Sequence, residues 1–135
     1  MPAPIRIRRE VLESLIEEAR RDPAIECCGL LAGTGAVITE IFPARNALAS
    51  PTAFEIAPEE LFRLFHQMRD RGLDHLGIYH SHPTTDNAPS PSDIDRAYYP
   101  DAIYLVLSPQ ANAPRPVRAF EIRDGAAMEK EIVQE

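Results

Sequence analysis

Between residues 79 and 94 the chain reads Tyr-His-Ser-His-Pro-Thr-Thr-Asp-Asn-Ala-Pro-Ser-Pro-Ser-Asp-Ile, which brings His80, His82, Ser90 and Asp93 together directly after an apolar run. Imidazole and carboxylate are donors that zinc takes. Three protein ligands leave the fourth tetrahedral position to water, which distinguishes a catalytic zinc from a closed structural one. Two histidines and an aspartate beside a serine hydroxyl therefore predict a metallohydrolase. Leu76–Tyr79 reads as a buried strand, and residues two apart on a strand project from the same face. His80 and His82 should point together with Cβ atoms roughly 6–7 Å apart, within reach of one ion at Zn–N bonds of about 2.0–2.1 Å.

Each half of this segment also has a plain reading. Histidines at strand ends are often only half-solvated side chains. Ser90-Pro91-Ser92-Asp93 is a helix start, with Ser90 as N-cap, Pro91 at N1 and Asp93 at N3, and needs no metal. The conjunction favours the site: a capping box requires neither histidine, nor the proline-rich loop between them. A helix N-terminus would also hold Asp93 rigidly beside the strand end.

The spacing His-Ser-His, seven residues, Ser, two residues, Asp resembles the signature of the JAMM (MPN+) zinc metalloproteases. Their remaining element is an upstream glutamate, in the small prokaryotic branch within a strand reading roughly Glu-x-Cys-Gly-x-Leu. Glu26-Cys27-Cys28-Gly29-Leu30-Leu31 is similar to it throughout. Phe54-Glu55-Ile56 followed by Pro58, the Gly77-Ile78-Tyr79 lead-in, Pro100-Asp101-Ala102 and the closing Phe120–Gly125 also look like that branch, so the resemblance covers essentially the whole chain. It implies an α/β (α+β) fold, a single-domain mixed β-sheet flanked by helices, related in architecture to the zinc cytidine deaminases.

The resemblance implies one zinc per chain held by His80, His82 and Asp93, with Glu26 as general base and Ser90 as the hydroxyl that stabilises an oxyanion. It further implies cleavage of a peptide or isopeptide bond after the C-terminal Gly-Gly of a ubiquitin-like sulfur-carrier protein, releasing cysteine in the most specific reading. Removal of a ubiquitin-like modifier from protein lysines, as a deubiquitinase would do, is the alternative. A non-catalytic MPN interaction module would have lost ligands, and all five signature positions are intact here. A zinc deaminase would carry His-x-Glu with Pro-Cys-x-x-Cys, and neither occurs.

A chain of 135 residues is the size of one compact domain, expected over residues 1–135. With 14 basic and 21 acidic residues and a net charge of −7, it is poorly suited to nucleic acid or an anionic membrane surface. No apolar stretch approaches the roughly 18–20 residues of a membrane span. Met1-Pro2-Ala3-Pro4-Ile5-Arg6 lacks the apolar core of a signal peptide, so a cytoplasmic location is expected. The two cysteines, Cys27 and Cys28, are adjacent, which excludes an internal disulfide closing a long loop and suits a reducing compartment. On a strand they face opposite ways and read as small buried hydrophobes. A homodimer is left open.

Several elements must position the site. A strand is expected at Ile5–Ile7, then a helix over Arg9–Arg21 with Val11, Leu12, Leu15, Ile16 and Ala19 as its apolar stripe, ended by Pro23. Glu26–Leu31 and Ala36–Phe42 read as a hairpin through Gly33-Thr34-Gly35. Pro43–Pro51 reads as a loop, Phe54–Ile56 as a short strand, and Pro58 to about Arg71 as a helix with Glu59 and Glu60 in its first turn. A short helix over Pro91–Tyr98 and a strand over Ala102–Leu107 follow the motif. Val117–Ile122 and Met128–Val133 then join at Asp124-Gly125. His66 and His75 have no partner at ligand spacing; Glu55 and Glu59 read as solvated, and Asp86 and Asn87 as turn residues.

Overall fold

The computed structural model describes residues 3–135; Met1 and Pro2, where the stretch read for a leader begins, lie outside the described residues. β1 (Ile5–Ile7) leads into α1 (Arg9–Arg21). There follow β2 (Cys28–Thr34), β3 (Val37–Ala44), α2 (Pro58–Asp70), β4 (Asp74–Ser81), α3 (Pro91–Asp95), β5 (Ile103–Leu107), β6 (Val117–Arg123), β7 (Ala126–Lys130) and β8 (Ile132–Gln134). The eight strands form one mixed sheet in the order β7-β6-β5-β4-β2-β3-β1-β8. The pairs β4–β5, β1–β3 and β1–β8 are parallel. Among the described residues no helix is long and apolar enough to cross a membrane.

Because side chains alternate across a strand, the sheet has two apolar faces and each needs cover. Val11, Leu15 and Ala19 of α1 are buried against Leu31, Tyr79, Leu105 and Leu107 on one face. On the other, Leu64 and Met68 of α2 pack with Leu30, Ala32, Ile78 and Val106. The helices thus flank the sheet, as expected. Each fully buried leucine or methionine contributes about 1.5–3 kcal/mol, so both helices are held by packing more than by their caps, neither of which has a side-chain cap bond.

The last expected strand, Met128–Val133, is in fact divided. Asp124 and Gly125 both adopt positive φ (51° and 74°), the backbone of a two-residue hairpin turn, and β7 pairs antiparallel with β6 as a result. After Glu131 alone the chain enters β8, which pairs with β1 at the opposite end of the strand order. The sheet therefore curls until its two edges approach at Glu131, whose carbonyl accepts a 2.8 Å bond from the Ile5 N–H. α1 packs inside this curl, its Val11, Leu15 and Ala19 in one cluster with Ile5, Ile38, Ala119 and Ile132.

Other boundaries shift for local reasons. The β2–β3 turn is Gly35-Ala36, both at positive φ, while Gly33 lies in β2 at a register shift. Pro43 belongs to β3, at a point beyond the reach of the three-residue β1. α3 stops at Asp95 rather than Tyr98, and the Tyr99 N–H instead donates to the Tyr104 hydroxyl at 3.1 Å. Phe54–Ile56 is not a strand. Its Glu55 N–H and carbonyl and its Ala53 neighbour's carbonyl bond Asn46 and Ala47 rather than a sheet edge.

Gly29 is required by a side chain and not by its torsions. A β-carbon there would stand 2.5 Å from the Tyr79 ring and 2.6 Å from the Phe42 carbonyl oxygen. Tyr79 is fully buried and cannot swing away. Gly29→Ala should therefore cost about 1–3 kcal/mol, the usual penalty for overpacking. Denaturant unfolding checks this, and an unchanged midpoint would show that the ring yields.

Candidate metal centre

Strand register builds the site. In the antiparallel β2–β4 pair Cys28 stands opposite His80, and the ladder continues past both ends, with the Ser81 N–H donating to the Cys27 carbonyl at 3.0 Å. Glu26, two residues before β2 rather than within it, is thereby opposite His82. Directly opposed residues share a face, so Glu26, His80 and His82 all emerge on the α2 side. His82 lies one residue past β4 but stays extended, its N–H donating to the Leu107 carbonyl at 2.9 Å.

Asp93 reaches the same point from α3. Ser90 is the N-cap: its Oγ accepts from the Asp93 N–H at 3.0 Å, and Asp93 Oδ2 accepts from the Ser90 N–H at 2.9 Å. The same Oδ2 lies 3.0 Å from His80 Nε2 and 2.9 Å from His82 Nε2, and the two nitrogens are 3.2 Å apart. The cap and the His80–His82–Asp93 cluster are therefore one arrangement. Capping directs the carboxylate at the histidines.

Three donor atoms converge, and a cation suits them. His82 Nδ1 is 2.7 Å from the Asp86 carbonyl oxygen, which fixes its proton on Nδ1 and leaves Nε2 with a lone pair. Ligand atoms of a tetrahedral zinc with bonds of about 2.0–2.1 Å lie about 3.3 Å apart, and the three atoms here are 2.9–3.2 Å apart. These residues fit a metal ion with a fourth position open. His80 is oriented by stacking, the Phe54 ring lying over it at 4.6 Å and 20°. Its buried Nδ1 has no hydrogen-bond partner among the described residues.

Electrostatics separate the acids. Burial pushes the Glu26 carboxyl up to about 7, against the pull of His82 and with help from the Asp93 charge. Glu26 is only 2% exposed, and its Oε1 is buried with no hydrogen-bond partner among the described residues. Asp93 is also desolvated, but its bonds to His80 and His82 and from the Ser90 N–H outweigh burial and hold it well below the usual carboxylate range. Burial lowers His80. Burial also disfavours charge on His82, yet Asp93 and the Asp86 carbonyl raise it overall. Asp93 is thus held toward its ionised form, while burial favours the protonated form of Glu26. Next to the triad a cavity of about 220 Å³ opens, lined by Leu30, Phe54, Ile56, Leu61, Tyr98 and Tyr104.

Side chains read as bland in sequence support this centre. Asp86 and Asn87 do more than turn the chain: the Asp86 carbonyl orients His82, and the buried Asn87 ties the motif loop to the Val106 and Arg115 carbonyls at 3.2 and 2.8 Å. Phe54 was legible as part of a short strand and of the Phe54-Glu55-Ile56 stretch that resembles the family, but nothing in spacing links it to His80. His66 bonds Arg69 on α2, and His75 packs edge-on against Phe65 and Tyr99, so neither joins the triad. Glu55 and Glu59 are exposed, as expected, Glu55 within 3.4 Å of Arg96. Cys27 joins the α1-side core while Cys28 is buried on the site's side, and burial raises both thiols.

Comparison with known proteins agrees with the geometry. The family model described as prokaryotic homologs of the JAB domain matches residues 8–123. A desampylase of Haloferax volcanii is 39% identical over 105 residues, covering 76% of each chain. A CysO-cysteine peptidase of Mycobacterium tuberculosis is 34% identical over 128 residues, covering 93% of this chain and 88% of its own. Among solved structures, protein DSY2949 of Desulfitobacterium hafniense superposes with a TM-score of 0.81 at 30% identity, over 96% of this chain and 91% of its own. AF2198, a JAB1/MPN domain protein of Archaeoglobus fulgidus, gives 0.62 at 19% identity over 98% and 99%, a likeness of fold alone. With the model spanning most of its length, the chain belongs to the prokaryotic JAB family.

Proposed function

We propose that the protein is a zinc-dependent hydrolase that cleaves the peptide or isopeptide bond following the C-terminal Gly-Gly of a ubiquitin-like sulfur carrier, releasing cysteine. The observation that carries the reading is the buried Glu26 Oε1, without a partner among the described residues, on the same face as the converging Nε2 atoms of His80 and His82 and the Oδ2 of Asp93. The Glu26 carboxyl stabilises nothing there by itself. Burying a carboxyl without a partner costs free energy, a cost expected where the group has chemical work.

Held by His80, His82 and Asp93, zinc would supply Lewis acidity toward a carbonyl and a water of lowered pKa. Glu26 accepts a proton on Oε1 and returns it to the leaving amine; a pKa near 7 suits both transfers at neutral pH. Ser90 Oγ accepts from the Asp93 N–H, which leaves its own O–H to donate to a developing oxyanion. Phe54 covers one face of the His80 ring, which is only 2% exposed.

Segment 54–56 supports an extended substrate tail. Asn46 and Ala47 hold the Glu55 N–H and C=O from one side, and an added strand would pair with Phe54 and Ile56 from the other. Tail glycines would pass the approach to the metal without a β-carbon. A carrier ending in Ala-Ala should be cleaved about 10²-fold more slowly, the order of loss for displacing the scissile carbonyl by about 1 Å. Intact mass spectrometry of carrier–cysteine against its Ala-Ala variant decides it; equal rates would refute the close approach.

The likeness to a desampylase favours a second reading, removal of a ubiquitin-like modifier from protein lysines. The same assay with a carrier joined to a lysine ε-amine separates the two. Faster release of cysteine supports the first, and faster release of lysine replaces it.

A further inference from the structure

The loop between β3 and α2 turns about one buried side chain. Asn46 is 4% exposed, and its Nδ2 donates to the carbonyls of Glu26 at 3.0 Å and Ala53 at 2.9 Å, with the Ser50 carbonyl at 3.5 Å. Its Oδ1 accepts from the N–H groups of Leu48 at 3.0 Å and Glu55 at 3.2 Å. The Glu26 N–H in turn donates to the Ser50 carbonyl at 2.9 Å. A single amide therefore joins the main chain of Glu26 to both sides of Phe54, whose ring stacks on His80. Glu26 precedes β2, so sheet hydrogen bonds do not hold its own peptide groups; this loop does.

We propose that Asn46 is a positioning residue for the hydrolytic centre, setting Glu26 and Phe54 relative to the metal-ligating side chains without touching substrate. The chemistry asks for an amide. Only asparagine or glutamine offers two N–H donors and a carbonyl acceptor on one planar group, and glutamine's extra methylene would not fit where Asn46 is enclosed. Alanine would leave the Glu26 and Ala53 carbonyls and the Leu48 and Glu55 N–H groups without these partners. The wall carrying Phe54 and the base Glu26 would then drift independently.

This inference rests on the proposed hydrolase reading for its kinetic part and on hydrogen bonding alone for its structural part, and the test keeps them apart. Asn46→Ala is compared with wild type and with Val11→Ala, a core truncation on α1 across the sheet. Zinc content, melting temperature, hydrogen exchange, and kcat on a carrier–cysteine conjugate below the melting transition are measured. We expect Asn46→Ala to retain its zinc, to exchange the amide hydrogens of Glu26, Leu48 and Glu55 faster while those of β4 and β5 stay protected, and to lose about 10- to 100-fold in kcat per zinc-loaded molecule. Val11→Ala should melt earlier with kcat unchanged. Unaltered exchange at those three amides, or a kcat within twofold of wild type, would overturn the proposal. Should Asn46→Ala not fold, Asn46→Asp keeps the acceptor and removes the donors, and the same readings decide. Should wild type itself cleave no carrier conjugate, the hydrolase reading fails while exchange still tests the clamp.

Discussion

Glu26→Gln should leave a folded, metal-binding protein with hydrolysis reduced by roughly 10²–10⁴-fold, the contribution of a positioned general base. The amide keeps the shape of the carboxyl but cannot accept a proton. Among the described residues Oε1 has no hydrogen-bond partner to lose, and the backbone bonds to Asn46 and Ser50 are untouched. A second result is expected in the metal-free protein. Burial raises the folded Glu26 carboxyl from 4.5 to about 7, so the folded state binds this proton more tightly than the unfolded chain. The destabilisation this implies is absent below the unfolded value, grows as pH rises between the two, and is complete above the folded one. Glutamine removes it. Metal-free Glu26→Gln should therefore be more stable than wild type by about 1–3 kcal/mol at pH 8 and equal to it near pH 4. Stopped assays and urea unfolding at the two pH values check both halves. Turnover like wild type in a zinc-loaded Glu26→Gln sample would show that another group takes the proton.

Removal of the histidines should abolish metal binding. Wild-type protein is expected to carry about one zinc per chain by elemental analysis, and His80→Ala with His82→Ala close to none, because a lone carboxylate cannot retain the ion. Asp93 needs more care, since its Oδ2 also caps α3. Asp93→Ala would lose ligand and cap together. Asp93→Asn keeps an oxygen for the Ser90 N–H while removing the charge, and Ser90→Ala removes the capping hydroxyl while keeping the ligand. If Asp93 is a ligand, Asp93→Asn should lose zinc affinity by at least about 10-fold with α3 intact. Ser90→Ala should hold zinc, lose the oxyanion donor with about a 10²-fold drop in kcat, and give up about 1 kcal/mol of stability. Full zinc occupancy in the double histidine variant would remove the site assignment altogether.

Much of the centre was legible because its determinants are local. The period of Val11, Leu15 and Ala19 marks α1, Pro58 opens α2, and Ser90-Pro91-Ser92-Asp93 caps α3 by chemistry contained in four consecutive residues. Strand alternation alone places His80 and His82 on one face. What joined Glu26 to them in the sequence was likeness to a motif, not spacing, since fifty-odd residues separate them. Its position opposite His82 comes from the β2–β4 register.

Tertiary structure decided the rest, for a common reason: an edge or a polar group takes whichever partner the folded chain brings to it. Phe54–Ile56 has strand-like residues but no strand partner, since Asn46 and Ala47 take its Glu55 backbone groups. Met128–Val133 has the pattern of one strand, yet its last residues serve β1, because the sheet curls until a single residue, Glu131, spans from one edge to the other. Asn46, Asp86 and Asn87 are ordinary loop residues by composition. They support the candidate metal centre only because the fold buries the two asparagines, 4% and 5% exposed, and brings His82 Nδ1 within 2.7 Å of the Asp86 carbonyl. Residue type and local spacing determined which atoms could bind a metal or carry a proton. Long-range pairing determined which of them meet and what holds them there.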